Sequence, residues 1–132
     1  MWTLYLDAGL TLPATPLLLE QAAAGTPTDR LTYLGNPVAG KVLRNPANPG
    51  TDPLSLSVTA QPGPVTASVI TMATTQAALD AATPGAPLTL PPTLTSGAAN
   101  AQPVHIRLTS ALDTPAYITS LSLTLTAEEV PA

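Results

Sequence analysis

His105 is the only imidazole among the 132 residues, so any Ser-His-Asp catalysis in this chain would have to run through it. It sits between Val104 and Ile106 in an alternating run, where the wet face of a strand is the simplest reading. With one His and no Cys, neither a histidine cluster nor a thiolate metal site can be assembled within one chain. The eight carboxylates Asp7, Glu20, Asp29, Asp52, Asp80, Asp113, Glu128 and Glu129 are dispersed. A glycosidase needs a facing pair across a cleft, usually with aromatic platforms, and three Tyr, one Trp and no Phe supply few of those. Asp52 and Asp113 fall in turns, where a carboxylate and backbone carbonyls can share Ca²⁺, but no Asp-x-Asp spacing accompanies them. The chain carries no Gly-x-Ser-x-Gly elbow, phosphate-binding loop or dinucleotide fingerprint. The expectation is a protein that is not an enzyme, with no catalytic, cofactor-binding or metal-binding residues.

Binding is the chemistry left to consider. Tyr, Trp and Arg are the side chains enriched at protein interfaces. That selects Trp2, Tyr5, Tyr33 and Tyr117, with Lys41 and Arg44, as interface candidates. Ordinary partial burial is the competing account of each Tyr, and Tyr117 could simply pin the loop that follows Asp113-Thr114-Pro115. Lys41 and Arg44 flank Val42-Leu43 on what reads as a solvated edge strand, although both could pair with acidic groups of a neighbour.

The elements that must position these groups are strands. In residues 54–60 Leu54, Leu56, Val58 and Ala60 alternate with Ser55, Ser57 and Thr59, the period of a strand with one buried and one wet face. Residues 121–127 and 104–109 repeat the pattern, and Trp2, Leu4 and Leu6 alternate with Thr3, Tyr5 and Asp7. Shorter strands are expected over 31–34, 41–44, 65–72 and 88–90, the last running into Pro91-Pro92. Pro and Gly punctuate them at Gly35-Asn36-Pro37, Asn48-Pro49-Gly50, Gln61-Pro62-Gly63-Pro64 and Pro84-Gly85. Residues 75–82 read as a short helix. Residues 16–24 suit a two-turn helix, with Thr15 as cap, Pro16 in the first turn and Gly25 at the end, as well as they suit a strand. The expected inward set is Leu4, Leu6, Leu31, Val42, Leu54, Leu56, Val58, Val69, Leu88, Leu90, Val104, Ile106, Leu108, Leu121, Leu123 and Leu125.

Seven or eight short strands with frequent turns predict an all-β fold, an antiparallel β-sandwich of Ig-like or jelly-roll-like type, with long Pro-rich loops and at most one or two short helices. One domain over residues 1–132 is expected, with 1–30 an extended or partly helical arm and 128–132 a short solvated tail. Charged residues make up 9% of the chain and the net charge is −4, against about 25% charged residues in an average globular chain. Four cations leave no basic patch for a phosphate backbone, and no apolar run approaches the roughly 18 residues of a membrane span. Neither nucleic acid nor membrane is an expected partner. The N-terminal residues lack a charged segment followed by an apolar one, so synthesis in a cytoplasm without a cleavable signal is expected.

Three stretches carry a resemblance. Residues 34–58, from Leu34-Gly35-Asn36-Pro37 to Asp52-Pro53-Leu54-Ser55-Leu56-Ser57-Val58, are similar to the Ig-like β-sandwich modules of tailed-bacteriophage virion proteins. So are residues 77–90 and 96–108, the last leading from a Gly-containing turn into Val104-His105-Ile106-Arg107-Leu108. The resemblance spans about 95 residues, from 31 to 127. It implies a virion protein that decorates or cements a capsid, or forms part of a tail or baseplate, through contacts with other capsid or tail subunits and with copies of itself. It transfers no catalytic residue. The motifs are shared with secreted adhesion modules, so a carbohydrate- or receptor-binding module on a particle or cell surface is the alternative. That alternative predicts Trp2 or a Tyr exposed on a shallow face.

Overall fold

The structure, a computed structural model, describes residues 2–13, 19–21, 28–60, 70–83, 85–108, 116–118 and 122–131. They form β1 (Thr3–Tyr5), β2 (Leu19–Gln21), β3 (Thr28–Gly35), β4 (Lys41–Arg44), β5 (Leu54–Ala60), β6 (Ile70–Ala73), α1 (Gln76–Ala81), β7 (Leu88–Leu90), β8 (Thr93–Thr95), β9 (Gln102–Leu108), β10 (Ala116–Ile118), β11 (Ser122–Thr126) and β12 (Glu128–Pro131), with a 3-10 turn at Ala98–Asn100. The fold is all-β and every strand pair is antiparallel. Residues 19–21 are a strand paired with β10, which decides that segment in favour of the extended reading. The rest of 16–24 lies outside the described residues, as do residues 65–69 of the strand expected over 65–72.

One sheet has the order β1-β3-β9-β6. Two three-stranded sheets, β11-β5-β7 and β12-β4-β8, share a construction. The chain passes from β11 to β12 through Ala127 alone, and from β7 to β8 through Pro91 and Pro92. The registers set them end to end as one interrupted three-stranded layer whose middle strand is β4 followed by β5. Proline cannot donate to a ladder, so Pro91-Pro92 marks the break in one outer strand.

A single aliphatic cluster joins the sheets. Leu4, Leu34, Ile70, Met72, Val104, Ile106 and Leu108 come from the four-stranded sheet, Leu54, Leu56, Leu88 and Leu90 from the second, and Leu43 and Leu94 from the third. Trp2, Leu125 and Ala127 pack against it half-buried. Each fully buried Leu, Ile or Val contributes roughly 1.5–3 kcal/mol relative to exposure.

Three inward assignments change. Leu31 is 40% exposed, whereas Thr32 is wholly buried and its Oγ1 donates to the Val104 carbonyl at 2.9 Å. Leu31 and Leu34 are three apart, so a period-two strand can bury only one of them. Leu34, 3% exposed, is that one. Leu6 is 37% exposed because β1 ends at Tyr5 and the chain turns back. The Asp7 carboxylate accepts from the backbone N–H groups of Thr11 and Leu12 and from Thr11 Oγ1, which closes this turn. Leu10 is buried as a result, its methyls seated over the bare Cα of Gly35. Val42 is half-buried, and its neighbour Leu43, 4% exposed, is the β4 residue that enters the cluster in its place. Val69 lies outside the described residues, and the side chains of Val58, Leu121 and Leu123 lie outside them too.

Candidate functional site

Sequence reasoning singled out six interface candidates, and the fold disperses them. Tyr5 and Tyr33 are the one pair it brings together, directly opposite each other on β1 and β3. Tyr5 is only 6% exposed, in line with the burial that competes with an interface role: the returning turn bridges it to Pro13. Tyr33 remains half-buried beside Pro103 on β9. Trp2 packs against the aliphatic cluster, and its indole Nε1 is enclosed without a hydrogen-bond acceptor among the described residues. Tyr117 lies on β10, and its side chain falls outside the described residues.

Lys41 and Arg44 end β4, which lies between β12 and β8. It is therefore the middle of its sheet, not the expected edge. The strand that makes the difference is Glu128–Pro131, a segment expected to be a solvated tail. Glu128 is the cross-strand partner of Arg44, and its Oε1 accepts from Arg44 Nε at 2.8 Å. Glu129 Oε2 accepts from Asn36 Nδ2 at 3.4 Å. An internal carboxylate thus takes the place of the neighbour's acid that Arg44 could have sought.

His105 is half-buried on the outer face of the four-stranded sheet, between Leu31 on β3 and Ala73 on β6. The charged group beside it is a network that sequence reasoning missed. Arg107 donates from Nε to Asp29 Oδ1 at 2.6 Å and from Nη2 to Asp29 Oδ2 at 2.9 Å. Its Nη1 lies 2.8 Å from Asp80 Oδ1 on α1. Gln76 Nε2 donates to Asp29 Oδ2 at 2.7 Å. The network holds α1 onto β6 and β9, with Leu79 buried beneath the helix. Thr75 caps α1, accepting on Oγ1 from the Ala78 N–H. The Arg107 hydrogen bonds hold the Asp29 carboxyl below the usual carboxylate range, against a smaller opposing push from burial. They raise the Arg107 guanidinium further above its ordinary value. With its bidentate partner and second carboxylate, Arg107 is committed to structure. No pattern in the sequence marks Asp29, Asp80 and Arg107 as neighbours, because α1 and β3 are far apart along the chain.

A shallow groove of about 270 Å³ runs between α1 and β7, lined by Met72, Ala78, Ala82, Pro87 and Leu88 among others, and none of its lining residues is titratable. Among the described residues no group of three or more His, Asp or Glu side chains is placed to hold a metal ion, and no helix is long and apolar enough to cross a membrane.

A second feature is displayed rather than concave. Residues 45–53 leave the middle strand of the interrupted layer between Arg44 and Leu54. Leu6, Leu12, Leu31 and Val38 are the exposed large apolar side chains of the described residues. Compared with known proteins, the chain matches no family model, no curated protein and no solved structure significantly.

Proposed function

We propose that this protein is a structural component of a tailed-bacteriophage particle, a β-sandwich that decorates or cements the capsid, or forms part of the tail, through subunit contacts. The observation that carries the reading is the aliphatic cluster of the described residues shared by the four-stranded sheet and the interrupted layer. It favours face-to-face packing of the two layers and a rigid body whose outer surface and loops are left for contacts. Low charge suits this role, since interface centres are depleted in Lys, Glu and Asp. The loose similarity of residues 31–127 to virion modules points the same way. The carbohydrate-binding alternative is weakened because Trp2 packs inward and Tyr5 is covered. Particles purified from cells that encode the chain test the reading. Quantitative mass spectrometry should find the chain at a fixed copy number relative to the main shell or tail subunit. A chain left wholly in the particle-free fraction would overturn it.

A further inference from the structure

β12 is held without contributing to the interior. Its residues alternate between half-buried and exposed, and among the described residues the aliphatic cluster takes no side chain from it. Leu125 and Ala127, just before it, do pack on that cluster. β12 lies at the outside of its sheet, against β4 alone. Beyond the ladder, Arg44 Nε donates to Glu128 Oε1 at 2.8 Å, with both side chains 39% exposed, and Asn36 Nδ2 donates to Glu129 Oε2 at 3.4 Å. Exposed ion pairs contribute little, so the ladder supplies most of what holds β12 in place. β8, on the other side of β4, is anchored differently. Its Leu94 is 6% exposed within the cluster, the Ser96 N–H donates to the Lys41 carbonyl, and Ser96 Oγ accepts from the Lys41 N–H.

The seat on β4 is specific all the same. Lys41 turns its backbone groups to β8, so by alternation Val42 and Arg44 turn theirs to β12, where they meet Val130 and Glu128. Pro131 lies opposite Lys41, a position where this ladder calls on no N–H from β12, so its missing donor removes no bond. The outward backbone positions of β12 are then Glu129 and Pro131. One carries a charge and the other has no N–H, which guards that edge against a further strand. Addition of a strand outside β12 is disfavoured, and replacement of β12 by a strand of the same register is not.

We propose that β12 exchanges between copies of this chain: the Glu128–Pro131 strand of one copy seats on β4 of a second copy, with Ala127 as the hinge. Ala127 is the one residue between β11 and β12, so a change of torsion there moves β12 as a unit and leaves β11 in its ladder with β5. The occupant of the seat is the segment the structure shows on it. Exchange remakes between chains the ladder bonds, the Arg44–Glu128 pair and the Asn36–Glu129 bond, and no side chain leaves the cluster. Swapping an identical element is a low-cost route to association for that reason. The exchange goes beyond the particle reading and needs only this chain, so the two stand or fall separately.

The chain has no cysteine, so introduced thiols report position. Val42→Cys and Val130→Cys, on separate chains, face each other only if β12 of one copy lies on β4 of the other. The two single variants are co-expressed, purified and oxidised, and linked peptides are counted by mass spectrometry. Thr89→Cys, exposed on β7, co-expressed with Val130→Cys measures random collision. The expected result is a 42–130 link between chains about tenfold or more above the 89–130 link. A 42–130 yield at the control level would overturn the exchange. If a thiol at 42 or 130 prevents folding, charge reversal decides. Arg44→Glu on one chain and Glu128→Arg on the other restore both ion pairs only in the mixed, exchanged dimer. Native mass spectrometry of the co-expressed pair should then find mixed dimers at about fivefold or more over self-paired ones, and monomers alone or dimers in statistical proportion would overturn the exchange.

Discussion

The phase of β3 can be tested with one substitution made twice. Leu31→Thr and Leu34→Thr remove the same atoms from the same strand, but Leu34 is 3% exposed within the aliphatic cluster and Leu31 is 40% exposed outside it. At position 34 nearly all the transfer free energy of a buried Leu is lost, about 2 kcal/mol. The new hydroxyl, enclosed without a ready partner, costs about another 1–2 kcal/mol. The expected total is about 3–4 kcal/mol. At position 31 about six-tenths of the side chain is covered, the hydroxyl stays hydrated, and Thr suits a strand. The expected cost there is about 1 kcal/mol or less. In a domain of this size each kcal/mol moves the melting temperature by roughly 3–5 °C. Leu34→Thr should therefore lower Tm by about 10–15 °C, and Leu31→Thr by no more than about 5 °C. Urea titrations with unchanged m-values give the same comparison as free energies. Equal losses, or a larger loss at position 31, would show that the strand faces the other way and would refute the assignment of Thr32 to the interior.

Three further outcomes are expected. Gly35→Ala would set a Cβ 2.7 Å from Leu10 Cδ1, so it should cost about 1–2 kcal/mol; in the Leu10→Ala background the added cost should shrink, and strict additivity in a double-mutant cycle would contradict the contact. Asp29 has a folded pKa below its unfolded one, so its pairing stabilises the protein above about pH 4 and is lost as pH falls through the folded value; with side chains 19% and 29% exposed, solvent screening holds the effect to about 1 kcal/mol. Asp29→Asn should remove that portion of the acid-induced loss between about pH 4 and 2 in melts, and an unchanged acid limb would count against the pair. Trp2→Phe deletes an indole N–H that has no acceptor among the described residues, so its cost by circular dichroism melts should stay below about 1 kcal/mol; a loss above about 2 kcal/mol would mean that the indole is bonded in solution.

The strands legible in the sequence were those where polarity alternates without competition. Leu54 and Leu56 are buried with Ser55 between them, as period two requires. The run ending at Leu108 behaves alike, with His105 and Arg107 on the outer face. Phase was lost where two apolar residues compete at odd spacing, as at Leu31 and Leu34, and where a strand stops early, as at Tyr5. β8, β10 and β12 have three or four residues each, too few for periodicity to register. Glu128-Glu129 reads as a solvated end because two carboxylates seldom enter a strand. Here Arg44 across the ladder and Asn36 supply what that placement needs. Which face a Tyr takes is not legible from residue type alone, and Tyr5 is enclosed by a turn whose return to Pro13 no period announces.

The same limit explains why the relation of β4 to β5 escapes a linear reading. Asn45-Pro46 and Asp52-Pro53 announce turns, and the strands on either side are correctly placed, so locally the segment looks like an ordinary connection between two strands. Only the partners reveal otherwise. A hairpin connection joins strands that lie side by side, whereas β4 and β5 lie end to end, each flanked by the two halves of the same outer strands. That relation is set by Ala127 and Pro91-Pro92, some 40 to 80 residues downstream. There the outer strands continue after one and two residues, whereas the middle strand takes nine. The nine are ordered by their own hydrogen bonds, so side-chain and turn bonds satisfy the backbone where the ladder is interrupted and the register holds on both sides.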